Sequence, residues 1–167
     1  MKKWLLWFSM FLAGWAANGP WRGVLRCEKT GRSFCAIRNQ REYDDFVSRI
    51  PKERLQMKQP APPSTDPLLQ QPEVDFEQQA LVAIWSSNIH IGCEIRGTHR
   101  DGADLVVDTA FDAPSDWRNY AAPDGYGRYY VVEVDAFPGE LKLGAINKKA
   151  PGRQDSDTQF LLPPLLR

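Results

Sequence analysis

Residues 80–85 read Ala-Leu-Val-Ala-Ile-Trp, six apolar side chains in a row. A short apolar run of this kind is typical of a β-strand that is buried on both faces. Directly after it, Ile89, Ile91, Cys93 and Ile95 alternate with polar residues or glycine, which indicates a strand with one buried face. The two stretches predict that the chain is built on a β-sheet.

The alternation of apolar and polar residues continues toward the C-terminus. An Arg-Asp-Gly turn at residues 100–102 precedes an alternating stretch over 104–111, and a further strand is expected over 127–135. Pro and Gly at 138–139 then introduce a last alternating stretch over 141–145. Strands joined by turns at this spacing predict an antiparallel meander.

Two short strands and a helix are predicted before this sheet. Residues 24–37 read as two strands around a turn at Gly31, which is an N-terminal hairpin. Asn39 with Glu42 three positions later is an N-cap pattern, and apolar residues recur at helical spacing over 40–49. We therefore expect an α+β, mainly β fold, in which an antiparallel meander sheet carries the N-terminal hairpin and one short amphipathic helix packed on it.

The proline content divides the chain. Six prolines lie within residues 51–73, a composition that supplies neither strand donors nor a helix interior. We predict an extended surface linker there, with a proline-rich ligand for a groove as the alternative. A single β-rich domain then covers 22–146, interrupted by this linker, and a flexible tail covers 147–167. The apolar end of that tail, residues 160–166, either folds back onto the domain or docks on a partner.

The N-terminus has the three-part layout of a secretory signal peptide. Lys2 and Lys3 precede an apolar run over residues 4–13, and Gly-Trp-Ala at 14–16 places small residues where a signal peptidase reads them. The apolar run is too short to span a bilayer, which needs about 20 residues. We expect residues 1–16 to be cleaved and the protein to be exported to the periplasm or the extracellular space.

The charge balance argues against two classes of partner. The chain has 21 Lys and Arg and 21 Asp and Glu, and the signal peptide contains two of the lysines, which leaves 19 basic residues against 21 acidic ones. A net charge of −2 does not favour nucleic acid or an anionic membrane. A glycine-rich phosphate loop is absent from the sequence, and no cofactor is predicted.

Three cysteines remain after cleavage, an odd number for an oxidising compartment. Cys27 and Cys35 flank the predicted turn at Gly31, so a disulfide between them is expected if they face each other across the hairpin within about 7 Å. Cys93 lies in an alternating strand, where a cysteine behaves as a small buried hydrophobe. Its pairing with one of the other two cysteines is the competing arrangement.

Histidine and serine residues do not form a convincing catalytic pattern. His90 and His99 lie on one predicted hairpin without a third ligand nearby, which favours surface histidines over a metal site. Ser86 and Ser87 are close to His90 in sequence, but the glycines of a nucleophile elbow are missing. We therefore predict that the protein is not an enzyme.

The connection over residues 112–126 is long for a compact sheet. Its acidic residues Asp112, Asp116 and Asp124 stand beside Pro and Gly and read as turn formers, although paired acids there are the basis of an alternative, hydrolytic or ligand-binding function. The spacing of a calcium loop is not present.

The same connection also carries the residue types that most often anchor protein interfaces. They are Trp117, Arg118, Tyr120 and Tyr126, and we predict that they bind a partner protein. The competing interpretation is a loop that closes one end of the sheet and buries Trp117.

Three short stretches resemble a known family. They are Val-Asp-Phe at 74–76, Leu-Val-Ala-Ile at 81–84 and Tyr-Tyr-Val-Val-Glu-Val at 129–134. In this order, after a strand and a short helix, they resemble the PrcB C-terminal-like domain, an accessory subunit of a protease complex. The resemblance covers residues 33–50 and 73–146. Paired glycines that are frequent in the family are reduced to a single Gly92, and the proline-rich gap is longer here.

The resemblance implies an exported, non-enzymatic domain that helps an extracytoplasmic protease to assemble or to remain stable. It has no catalytic residues to transfer to this chain. Together with the interface residues of the 112–126 connection, it predicts a protein-interaction domain. The alternatives are a small secreted ligand-binding protein or hydrolase that uses the acidic residues of that connection, and a protease inhibitor.

Overall fold

The structure, a computed structural model, describes residues 20–28, 31–56, 60–112 and 123–148. The predicted signal peptide and residues 149–167 of the predicted tail, with its apolar end, lie outside the described residues, whereas residues 147 and 148 of that tail belong to the last strand. The described elements in chain order are β1 Trp21–Arg26, β2 Arg32–Ile37, α1 Gln40–Val47, a 3₁₀ helix Pro67–Gln70, β3 Gln79–Ser86, β4 Gly92–Asp101, β5 Asp104–Asp112, β6 Tyr126–Asp135 and β7 Leu141–Lys148. The predicted mainly β fold with one α-helix is confirmed.

Strand β3 belongs to the middle one of three layers, so both of its faces are covered. One face presents Leu81 and Ala83 to a core that includes Phe46 of α1, while the other presents Ala80 and Val82 to the side chains of the second sheet. The apolar run over 80–85 is therefore explained by burial on both faces, as predicted. The layers are the helix, a four-stranded antiparallel sheet in the order β1-β6-β3-β2, and a three-stranded sheet in the order β4-β5-β7.

The N-terminal hairpin is present as two antiparallel arms, but its arms are not hydrogen-bonded neighbours. β1 pairs with β6, β2 pairs with β3, and these two partner strands lie between the arms. The physical reason is burial: β3 and β6 are the more apolar strands and take the central positions, which leaves the shorter, more polar strands β1 and β2 at the edges.

The hairpin of β4 and β5 turns at Gly102, which adopts a positive φ of 62°, as the Arg-Asp-Gly turn predicts. The meander order does not continue beyond it, because β7 pairs with β5 in the parallel direction. The register gains one residue in β7 between the pairs Val107–Leu143 and Thr109–Ile146. This bulge frees the N–H of Ala145, and the Asp108 carboxylate accepts it at 2.7 Å.

Helix α1 begins as the sequence predicts. The side chain of Asn39 accepts the N–H of Glu42 at 3.0 Å, and the Glu42 carboxylate accepts the N–H of Arg38 at 2.7 Å. Tyr43 and Phe46 are buried against the four-stranded sheet. Since a helix of eight residues is not stable alone in water, this apolar contact holds it.

The proline-rich segment is more than the surface linker expected from its composition. Its first part folds on itself through a bridge between Glu53 and Pro63. Further on, Asp66 caps the 3₁₀ helix, and the side chain of Leu68 is fully buried in the core of the helix layer. Proline at the first position of this helix needs no N–H partner, so the composition that breaks strands is compatible with this packing.

Candidate functional site

The outer edge of β2 has unpaired main-chain groups. Across the β2–β3 pair, Ser87 N donates to Gly31 O at 2.8 Å. This hydrogen bond establishes which residues of β2 direct their main-chain groups toward β3 and which direct them outward. Ser33, Cys35 and Ile37 then point their N–H and C=O groups toward β3, and those of Phe34 and Ala36 point outward. No strand among the described residues pairs with this edge.

The opposite edge of the same sheet is protected. The Asp66 carboxylate accepts the main-chain N–H of Val24 in β1, and Arg26 N donates to Arg49 O at 2.8 Å. The proline-rich segment, through Asp66, and the turn that follows helix α1, through Arg49, thus cover the outer edge of β1. Covering one edge is a common way in which proteins prevent unwanted strand pairing, and in the described part of the chain β2 lacks such a cover.

A groove of about 260 Å³ lies between β2 and helix α1. We call it the β2 groove, and its lining residues are Cys35, Ala36, Ile37, Glu42, Asp45, Phe46, Arg49 and Trp85. The helix starts beside β2, where Glu42 holds the N–H of Arg38, and its last turn reaches β1 at Arg26. Because the helix crosses the sheet diagonally, it leaves a wedge of space over β2 and β3.

Two aromatic rings contribute to the apolar surface of the β2 groove. The rings of Phe46 and Trp85 meet edge to face with centroids 6.1 Å apart. The Arg49 guanidinium lies over the indole of Trp85, 4.7 Å from the ring centroid, and its Nε donates to Arg26 O at 3.3 Å. Trp, Phe and Arg in a partly desolvated groove are residue types that anchor protein partners.

The two ends of the β2 groove carry opposite charges. Glu42 lies at the end of β2 that leads into Arg38, and Asp45 follows it along the helix. Trp85 is paired with Ser33, so Arg49, which lies over Trp85, marks the other end. A molecule along β2 therefore meets a cation at the Ser33 end and carboxylates at the Ile37 end.

The thiol of Cys35 in the groove is a poor nucleophile. Burial raises the pKa of Cys35 to about 11, although the nearby Arg49 favours the thiolate. At neutral pH the side chain is a neutral thiol, and its contribution to the groove is apolar surface.

The structure holds Cys27, Cys35 and Cys93 as free thiols. A Cys27–Cys35 disulfide is predicted on the condition that the two cysteines face each other across a hairpin. This condition is not met, because β6 and β3 lie between the two arms. Three strand spacings amount to about 14 Å, beyond the reach of a disulfide. Cys93 is half-buried, and its Sγ donates to Arg128 O at 3.4 Å.

Most of the interface residues predicted from the sequence lie outside the described residues. These are Trp117, Arg118 and Tyr120, together with the acidic Asp116. Tyr126 is described: it is half-buried at the start of β6, opposite Arg26 of β1. Tyr126 is not among the residues that line the β2 groove.

Other candidates from the sequence do not assemble into a site in the described part of the chain. Asp112 ends β5, and Asp124 is exposed in the turn before β6. Among the residues that the structure describes, no group of three His, Cys, Asp or Glu side chains could hold a metal ion. The same residues contain no helix that is long and apolar enough to cross a membrane.

Sequence reasoning missed the β2 groove for a definite reason. The strand over 34–37, the helix and Trp85 were each recognised, but their adjacency depends on β2 pairing with β3 at the sheet edge. The available signal was Arg49 just after the helix and Trp85 near the end of the apolar run over 80–85, two residues that only the tertiary packing brings together. Comparison of this chain with family models, curated proteins and solved structures finds no match.

Proposed function

We propose that this chain is an exported, non-enzymatic protein-interaction domain that binds an extended segment of a partner protein along the outer edge of β2. The observation that carries the proposal is the combination of an open strand edge with an adjoining groove. Addition of a strand to a sheet edge takes affinity from main-chain hydrogen bonds and specificity from alternate side chains.

The main-chain groups of Phe34 and Ala36 supply two donors and two acceptors to an added strand. Each such hydrogen bond contributes about 1 kcal/mol net, because water is displaced from both partners. The aromatic surface of the β2 groove adds apolar contact. Phe34 itself is 39 % exposed on the other face of β2 and remains available to a partner there.

The sequence supports the choice of partner in this proposal. The signal peptide layout is what supports a location outside the cytoplasm, and the resemblance to the PrcB C-terminal-like domain makes an extracytoplasmic protease the partner to test first. In this proposal the domain stabilises or helps to assemble that protease. A strand added at β2 by the protease is the contact that would do so.

The test uses the full processed chain and a neutral heptapeptide, acetyl-Thr-Gln-Thr-Val-Thr-Gln-Thr-amide. We expect its addition to shift the amide NMR signals of Phe34 and Ala36 and to slow their hydrogen exchange. Phe34→Pro removes an outward N–H while leaving the β3 ladder intact, so it should weaken binding about tenfold.

Phe34→Thr is the matched control, because it replaces the same exposed ring and keeps the N–H. It should bind within about threefold of the original chain. Circular dichroism and urea unfolding of both variants establish that they are folded. Absence of changes at Phe34 and Ala36 at millimolar peptide, or equal binding by the two variants, would refute strand addition at β2.

A further inference from the structure

We infer that the β2 groove binds selectively those segments whose charged side chains follow one particular order. The selected segment carries a basic, an apolar and an acidic side chain at alternate positions, in this order from its N-terminus. The inference rests on the proposed function and goes further, because it names the chemistry and direction of the partner strand.

The spacing of the groove matches an extended chain. Ser33 and Ile37, which mark the two ends on β2, are separated by about 13 Å. In an added strand, side chains at alternate positions face the same way, and the first and the fifth residue are also about 13 Å apart. Three consecutive alternate side chains therefore span the groove.

The charged residues of the groove determine which side chain of the bound segment is favoured at each position. A basic side chain is favoured beside the carboxylates of Glu42 and Asp45, and an acidic one beside the guanidinium of Arg49. The middle side chain lies nearest to Phe46 and Cys35, where an apolar group is favoured.

The neighbouring arginines Arg32 and Arg38 do not change this distribution of charge in the groove. The Arg32 guanidinium lies over the ring of Phe111, 4.2 Å from its centroid. The Arg38 guanidinium lies over Phe137 at 4.5 Å and donates to Gly139 O. Both side chains are thus engaged with the side of the sheet that faces away from helix α1, and Arg49 remains the cation of the groove lining.

The direction follows from the sheet. Every pairing in the four-stranded sheet is antiparallel, and antiparallel pairs outnumber parallel ones in proteins. β2 runs from the Arg49 end of the groove to the Glu42 end. A strand added in the antiparallel direction therefore meets the carboxylates first and the guanidinium last, which places its basic residue on the N-terminal side.

The test compares two heptapeptides of identical composition with the neutral one. The Lys-first peptide is acetyl-Thr-Lys-Thr-Val-Thr-Glu-Thr-amide, and the Glu-first peptide exchanges Lys and Glu. We expect the Lys-first peptide to bind about tenfold more tightly than the Glu-first peptide at low salt. The neutral peptide should fall between them. The difference should shrink at about 0.5 M salt, while binding of the neutral peptide should change little.

Asp45→Lys tests the carboxylate end, with Asp44→Lys as its matched control. Both residues are exposed and adjacent on α1, but only Asp45 lines the groove. We expect Asp45→Lys to reduce the preference for the Lys-first peptide at least threefold and Asp44→Lys to leave it unchanged. An equal effect of both variants would overturn the inference, since it would show a general charge effect.

The outcomes separate this inference from the proposed function. If the neutral peptide binds at Phe34 and Ala36 but the two charged peptides bind equally, the charge order is wrong and strand addition stands. If the Glu-first peptide binds more tightly, the stated direction is wrong. If no peptide binds at the β2 edge, both proposals fail together.

Discussion

The phenol of Tyr129 in β6 donates its hydrogen to the carboxylate of Asp66, which lies 63 residues earlier in the chain. The same carboxylate accepts the N–H groups of Leu68 and Val24. One half-buried side chain therefore joins the proline-rich segment to the edge strand β1 and to the central strand β6. This junction is what changes the segment from a linker into part of the fold.

Gly23 lets Asp66 approach β1 closely. A Cβ at this position would overlap the Asp66 carboxylate and the ring of Tyr129. We expect Gly23→Ala to lower the free energy of unfolding by about 2 kcal/mol, as overpacking does in well-packed interiors. Urea unfolding measures it. Gly97→Ala is the matched control, because nothing lies within 4 Å of its added Cβ, and it should change stability by less than about 0.5 kcal/mol. Equal effects would show that the junction is loosely packed.

The ionisation of Asp66 makes stability depend on pH. Burial raises the pKa of this carboxyl, and hydrogen bonds from Tyr129, Leu68 and Val24 offset only part of the effect. The folded chain thus holds the proton more tightly than the unfolded chain, in which the pKa is about 3.9. The resulting stabilisation is fully present below about pH 4 and is lost as the pH rises through the raised value.

Asp66→Asn removes this titration and keeps an acceptor for Tyr129. From urea unfolding at closely spaced pH values, we expect the stability of the unmodified chain relative to Asp66→Asn to fall as the pH rises above about 4 and then to level off. Subtracting the variant cancels the other carboxyl groups. A difference that increases with pH would mean that the pKa of Asp66 is lowered in the fold.

The bulge in β7 depends on Asp108. Its carboxylate accepts the N–H of Ala145, which the parallel ladder leaves without a strand partner. We expect Asp108→Ala to lower the free energy of unfolding by about 1–2 kcal/mol and to speed hydrogen exchange at Ala145. Asp108→Asn keeps an acceptor oxygen and should restore most of the protection. Unchanged exchange at Ala145 in Asp108→Ala would contradict this account of the bulge.

The three thiols should react with iodoacetamide in a defined order. Burial raises the pKa of Cys27, that of Cys35 to about 11 and that of Cys93 to about 12. We expect Cys27 to react first, then Cys35, and Cys93 last, because the thiolate is the reactive form and burial disfavours it most at Cys93. Mass spectrometry of peptides from a time course without reductant measures the rates. Protection of Cys27 and Cys35 that only a reductant removes would reveal a disulfide and contradict the free thiols.

Local patterns predicted the elements of this fold well. The run over 80–85 became β3, Asn39 with Glu42 capped α1, and the turn at Gly102 joined β4 to β5. Each of these depends on interactions between residues close in sequence, or on the simple distinction between buried and exposed faces. The candidate site was not predictable in the same way, because Arg49 follows the helix, Trp85 lies in β3, and the two meet only where the helix packs on the sheet.

Periodicity and apolar content are local properties, and they were enough to indicate which stretches form strands or the helix and which strand is buried on both sides. Tertiary structure decided that β1 and β2 occupy opposite edges, that β7 runs parallel to β5, and that Leu68 of the proline-rich segment enters the core. These choices rest on competition among distant strands for the same central positions. The strand order that buries the most apolar surface is the most stable one. A short stretch of sequence does not contain the information needed to compare one strand order with another.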